Sequence, residues 1–276
     1  MKKINLIKPI KLIFLLMFFS SILINFISCY AAPVTGRSQF IIISEAEEIQ
    51  MGNVAFRDVL RKETISNNPE YNAAVRRVGS RIAEISDTPN YNWEYKVIDE
   101  GETINAFALP GGKVAVYTGI LHVAKNDAGL ATIIGHEVAH AVARHGAERA
   151  SAGILAELGA AGLSTAIGGM DPTVAGAIMQ AYGLGVTVGG ILPFSRTQES
   201  EADRIGLIYM AKAGYDPREA LEFWKRMAQA TRGEPKPPVF LSTHPDYGTR
   251  VTNIQEWLPE ATYYYELSDK APNNPI

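Results

Sequence analysis

The chain has one cysteine, Cys29, in 276 residues, so no intrachain disulfide can staple its fold. Histidine is scarce as well, with five in all. Four lysines and no acid fall in the first 28 residues; with that stretch set aside, the other 22 basic residues face 29 acidic ones, a net charge of −7. No basic tract remains, which excludes nucleic acid as a partner. Charge is missing altogether from Thr173 to Ser195, a run of 23 residues. No internal repeat is evident. An apolar content of 47 % over the whole chain, raised in part by the first 28 residues, and about 248 residues beyond them suffice for one well-cored domain.

The scarce histidines are not scattered. Residues 136–140 read HEVAH inside LATIIGHEVAHAVA (Leu130 to Ala143), a run otherwise free of ionisable groups. On a helix turning about 100° per residue, His136 and His140 share a face and can reach one zinc ion, with Glu137 beside it. A carboxylate there can take a proton from a water molecule and pass it to a leaving amine, the general-base role in metal-assisted peptide hydrolysis. Two imidazoles and a carboxylate in so apolar a stretch are costly unless something binds them.

Zinc in a catalytic site uses three protein ligands, and three places compete to supply the third. His145 lies nine residues beyond His136, which on a continuous helix turns it about 180° away. It is then a polar residue near a helix end, where the dipole favours a cationic ring. The metzincin pattern would need glycine at 143 and histidine at 146, where the chain has Ala143 and Gly146. PFSRTQESEADRIG opens a new helix on which Glu199 and Asp203, four apart, share a face; one can bind zinc while the other orients a ligating histidine. Glu201 is about 200° from Glu199 and is expected to face solvent. The third candidate is His244 in STHP.

HEVAH, then Arg196, Glu199 and Asp203 in Arg-x-x-Glu-x-x-x-Asp spacing, then STHPDYGTR (Ser242 to Arg250) resemble the gluzincin peptidase family of the CAAX prenyl proteases, HtpX, LoiP and BepA, with the periplasmic LoiP- and BepA-like members nearest. The resemblance runs from about Val34 to Leu258. It implies one zinc ion on His136, His140 and Glu199, Glu137 as base, and Asp203 supporting a ligand. In similar proteins the histidine at the place of His244 lies near the metal, steadying the oxyanion or capping the zinc at rest; transition-state support is the role assigned here. A fold that is mainly α with a small β-sheet (α+β), zincin-like, with the HExxH helix and a second ligand-bearing helix, follows from the same resemblance.

NWEYKVIDE and INAFALPGGKVAVYTGIL alternate and carry β-branched and aromatic residues, with Pro110, Gly111 and Gly112 supplying a hairpin turn. Asn105 to Leu109 resembles the family's edge strand, so Asn105, Ala106 and Phe107 are expected to take an extended substrate by strand addition. Helices are expected from Ser44 to Glu63, from Pro69 to Ile85, from Asp216 to about Thr231 and from about Asp246 to Trp257. The Ala- and Gly-rich stretch Ser151 to Phe194 fits a flexible, partly helical cover over the cleft better than a membrane span, with five glycines and Pro193 in its uncharged part. The expected organisation is a leader over 1–28, a linker over 29–43, the metallopeptidase domain over 44–265 and a flexible tail over 266–276.

The hydrophobic run Ile10 to Ile27 behind four lysines has the form of an export signal. Phe26, Ile27 and Ser28 before Cys29 resemble a bacterial lipobox, whose cysteine is lipidated; cleavage after Ala31 and an uncleaved anchor are the alternatives. The expected location is therefore the periplasmic side of a bacterial envelope, with membrane association, and the family resemblance implies a zinc endopeptidase whose substrates are misfolded or misassembled envelope proteins. An alternative is a chaperone or assembly factor that holds clients in the same cleft with slow proteolysis.

Overall fold

The structure is a computed structural model that describes residues 28–88, 90–154, 194–232, 238–244 and 247–276. Residues 1–27 of the expected leader and residues 155–193 of the cover expected over Ser151 to Phe194 lie outside the described residues. The chain forms β1 (Ser28–Ala31), β2 (Ser38–Ile41), α1 (Glu45–Lys62), α2 (Pro69–Ile85), β3 (Glu94–Ile98), β4 (Ala106–Leu109), β5 (Lys113–Tyr117), α3 (Thr118–Ala124) and α4 (Asp127–Val142). A helical segment over 145–154 follows. Then come α5 (Arg196–Lys212), α6 (Glu219–Ala230), α7 (Val239–Thr243) and α8 (Tyr247–Leu267). The mainly helical fold with a small sheet is as expected.

Local chemistry sets the helix starts. Ser44 and Glu47 form a capping box on α1, and Ser195 with Gln198 forms another on α5; each satisfies amide groups that the first turn leaves without partners. Asn68 caps α2 with Pro69 just inside it, where the missing N–H costs nothing.

The sheet order is β3-β5-β4, with β3 parallel and β4 antiparallel to β5. The β4–β5 turn uses Gly111 and Gly112 at φ 81° and 82°, a left-handed conformation that glycine adopts without steric cost. Alternation along β5 sends Val114 and Val116 into the main core and Ala115 into a second cluster with Phe56 of α1 and Ile98. Both faces are therefore covered, α1 on one and the helical core on the other.

α4 runs through the middle of the main core, buried over its whole length, and packs on α2, β4, α5 and α6. Its crossing with α5 is close because glycines meet there. A Cβ on Gly206 would stand 2.7 Å from the backbone nitrogen of His136, and one on Gly135 would stand 2.9 Å from the carbonyl oxygen of Gly206. Only hydrogens fit, so the two helices that carry the candidate ligands approach backbone to backbone.

Both ends of the described chain depart from expectation. Residues 29–43, expected as a linker, contain the antiparallel β1–β2 hairpin, in which Cys29 pairs with Phe40; polar anchors of its loop to α5 hold it in place, as described below. At the other end α8 continues past Trp257 through Pro259. The last residues are docked rather than loose: the Asp127 amide donates to the Asn274 carbonyl at 3.0 Å and the Ile276 amide to the Lys125 carbonyl at 2.9 Å, while Asn274 Nδ2 donates to Asp127 at 2.8 Å. A polar tail is held here because it satisfies polar groups at the buried start of α4 that the first helical turn leaves without partners. Among the described residues no helix is long and apolar enough to cross a membrane.

Candidate metal centre

His136, His140, Glu199 and His244 are all buried and offer one ligand atom each, all within 4.8 Å of one another. His140 Nε2 lies 3.1 Å from His136 Nε2 and 3.3 Å from Glu199 Oε1. His244 Nδ1 lies 3.2 Å from His136 Nε2 and 3.0 Å from Glu199 Oε1. Helical phase accounts for the first three. His136 and His140 stack one turn apart on α4, and Glu199 faces them across the glycine crossing.

Glu137 sits beside this cluster, and its Oε1 has no hydrogen-bond partner among the described residues although His244 Nε2 is 3.5 Å away. Burial pushes the Glu137 carboxyl above its ordinary pKa. Burial would raise Glu199 too, but the His244 charge and hydrogen bonds from His140 and His244 hold it well below the usual carboxylate range. Burial keeps His140 well below its ordinary value, hence a neutral imidazole. His244 is pushed up because Glu199 and Glu137 outweigh its burial. Two imidazoles and a carboxylate with converging atoms, and a further carboxylate oxygen without a partner beside them, fit a zinc ion and a water molecule.

Asp203 is where its spacing predicts: its Oδ1 stands 2.8 Å from His136 Nδ1, which fixes the ring so that Nε2 points at the cluster. The partner missed from the sequence is Arg250. Buried with its guanidinium 4.0 Å above the Trp224 ring, it donates from Nε to Asp203 at 2.5 Å and from Nη2 to Glu199. The only sequence signal was its place at the end of STHPDYGTR. Arg196, from the same motif block, is exposed at the start of α5 and does not join the cluster.

Two further expectations are corrected. His145 does not point away: its Nδ1 lies 2.8 Å from His140 Nδ1. The helix is not continuous there, because α4 ends at Val142 and Arg144 takes φ 56°, held by Glu48 and the Ile43 carbonyl. That left-handed residue turns the chain back and brings His145 under His140. Nor is His145 a cationic helix-end residue, since burial lowers its pKa below the ordinary value. Glu201, expected in solvent, is buried. Burial alone would raise its pKa, but hydrogen bonds from His145, Thr35 and Arg37 bring it down to about 2.

Asn105, Ala106 and Phe107 lie outside the cluster, at and next to β4, one of the two outer strands of the sheet. β4 packs on α4, and Ala108 shares a small cavity with His140 and Phe194. Phe194 stacks on His140 with ring centres 3.9 Å apart, and the Arg149 guanidinium lies over the Phe194 ring at 4.2 Å. The Cys29 backbone is in β1; its side chain lies outside the described residues.

The model of peptidase family M48 matches residues 69–258. Among similar proteins is the mitochondrial metalloendopeptidase OMA1 of Schizosaccharomyces pombe, 38 % identical over 240 residues, which cover 86 % of this chain and 68 % of the relative. The mitochondrial metalloendopeptidase OMA1 of Saccharomyces cerevisiae is 35 % identical, over 86 % of this chain and 71 % of its own length. The beta-barrel assembly-enhancing protease of Escherichia coli is 28 % identical over 77 % of this chain and 44 % of its own. The resemblance to the gluzincin family therefore holds, but the narrower likeness to LoiP and BepA does not lead. The expected bacterial periplasmic location is overturned by the same comparison, because the relatives matched at higher identity and over more of both chains are named mitochondrial. A family match over more than half of the chain, joined to relatives above 30 % identity across most of it, makes this protein a member of peptidase family M48 and a zinc metalloendopeptidase.

Proposed function

We propose that His136, His140 and Glu199 hold the zinc ion, that Glu137 is the general base, and that the substrates are extended segments of misfolded or misassembled proteins. The observation that carries this reading is the convergence of four buried ligand atoms beside the unpartnered oxygen of Glu137. When bound, zinc supplies Lewis-acid activation of water and of the scissile carbonyl. Glu137 takes the proton of the attacking water and delivers it to the leaving amine. Asp203 and Arg250 keep His136 and Glu199 in place, and the apolar walls of α4 and α5 exclude bulk water.

His244 supports the oxyanion, because a permanent fourth protein ligand would close the position that water and substrate need. Glu199 and Glu137 raise its pKa against the pull of burial, which favours the ring form in which both nitrogens donate. His244→Ala is expected to lower kcat about 10²- to 10³-fold with KM little changed and zinc retained. Zinc lost in proportion to activity would instead make His244 a ligand.

Substrate selection follows from β4. Its outer edge carries no strand partner among the described residues, and an added strand gives backbone recognition with little sequence preference. That suits clients defined by being unfolded. The assembly-enhancing protease among the relatives supports a quality-control role, and the OMA1 names support a mitochondrial setting. The test is cleavage of casein and of a compact folded protein by wild type and Ala108→Pro, with zinc content measured alongside. Tyr117 donates to the Asn105 carbonyl, so in the β4–β5 register the Ala108 N–H faces the free edge; proline removes that donor, and casein cleavage is expected to fall at least about tenfold at unchanged zinc. Equal cleavage by the variant would remove β4 from substrate binding, and equal attack on the folded protein would remove the preference for unfolded chains.

A further inference from the structure

His140 offers its Nε2 to the donor cluster, and its other nitrogen is not free. Nδ1 lies 2.8 Å from His145 Nδ1, and His145 Nε2 lies 2.9 Å from Glu201 Oε2. Arg37, in the loop between β1 and β2, donates from Nε to the same Glu201 oxygen at 2.7 Å, and the Thr35 hydroxyl donates to the other. Arg37 also grips Glu148 with both terminal nitrogens, at 2.6 and 2.8 Å. Gln198, in the first turn of α5, donates to that Glu148 carboxylate at 2.7 Å. His145 is fully buried.

The direction of every proton in this chain of contacts is determined. An imidazole that binds a cation through Nε2 carries its proton on Nδ1, so His140 must donate to His145. With its Nδ1 accepting, His145 carries its own proton on Nε2 and donates to Glu201. An ionised carboxylate only accepts, and Arg37 only donates. Each contact thus permits one orientation, and Arg37 and Thr35, the partners of Glu201, sit on a hairpin more than 100 residues away in sequence.

We propose that His145, Glu201 and Arg37 are positioning residues for the metal: they fix the tautomer and ring plane of His140, so that the β1–β2 hairpin is a working part of the centre. This rests on His140 being a zinc ligand. It gives that ligand the support that Asp203 and Arg250 give His136, from an independent set of residues. Packing alone would need only the volume of these side chains, whereas positioning needs an acceptor at 145 and an acidic partner held from the hairpin.

Zinc dissociation constants, measured on the purified full chain by competition with a chromogenic chelator, separate the two. His145→Phe keeps a ring of similar volume but offers no acceptor, whereas His145→Gln restores a carbonyl oxygen. Loss of such support typically weakens metal binding about 10- to 100-fold, which is the expectation for His145→Phe, with His145→Gln recovering most of it. Arg37→Met and Glu201→Gln, further out, are expected to weaken zinc severalfold, with the melting temperature of each metal-free variant showing that it is folded. They carry the test if His145→Phe does not fold. Zinc affinity within about twofold of wild type in folded Arg37→Met and Glu201→Gln overturns the proposal. Wild-type affinity in His140→Ala would overturn the ligand assignment beneath it instead.

Discussion

Glu137→Gln is expected to lower casein hydrolysis about 10²- to 10⁴-fold, the usual share of a general base, while zinc stays bound. The amide has the shape of the carboxylate but cannot take a proton from water. Its effect on the fold is expected to be small and favourable. Glu137 Oε1 makes no hydrogen bond among the described residues, so what is lost is the charge attraction to His244 at 3.5 Å. Burial raises the Glu137 pKa above its ordinary value, so folding works against its charge, and a neutral amide relieves that cost. A melting temperature equal to or above that of wild type, full zinc and no cleavage is the combined expectation. Cleavage near the wild-type rate would reject Glu137 as the base.

Arg250→Met is expected to have the largest effect on stability. The guanidinium is buried between Asp203 and Glu199, both buried themselves, with Nε 2.5 Å from Asp203. Methionine fills much of the stem's volume yet leaves two carboxylates without their cation, and breaking a buried pair in this way costs about 3–5 kcal/mol. The metal-free protein feels the whole loss. Bound zinc returns positive charge to Glu199, so zinc should raise the melting temperature of the variant more than that of wild type. Chemical unfolding with and without zinc measures both terms; a loss below about 1 kcal/mol without metal would mean that water reaches the carboxylates and that Arg250 is not their main partner.

These two residues also mark what could be read from the sequence. The shared faces of His136 with His140, Glu137 beside them, and of Glu199 with Asp203 were legible because a helix has one period and each pair is four apart, whereas the choice of Glu199 over Asp203 as ligand came from the family resemblance. α2 was legible from Pro69 at its start, and the β4–β5 turn from its glycines. The misses share one cause, contacts between segments distant in the chain. Arg250 reaches Asp203 across 47 residues. His145 was misplaced because the left-handed Arg144, with no glycine to announce it, breaks the helix that phase counting extended. Glu201 does point away from Glu199, as counted, but the hairpin at Thr35 and Arg37 covers that side. The polar end of the chain reads as loose in the sequence because its partner, the start of α4, lies about 147 residues earlier.

The central claim is that one zinc ion sits on His136, His140 and Glu199. Zinc per chain, determined by elemental analysis after dialysis for wild type, Glu199→Gln and Asp203→Asn, tests it most directly. One zinc ion in wild type, marked loss in Glu199→Gln and retention at weaker affinity in Asp203→Asn is the predicted result. Full zinc in Glu199→Gln with loss in Asp203→Asn would contradict the account.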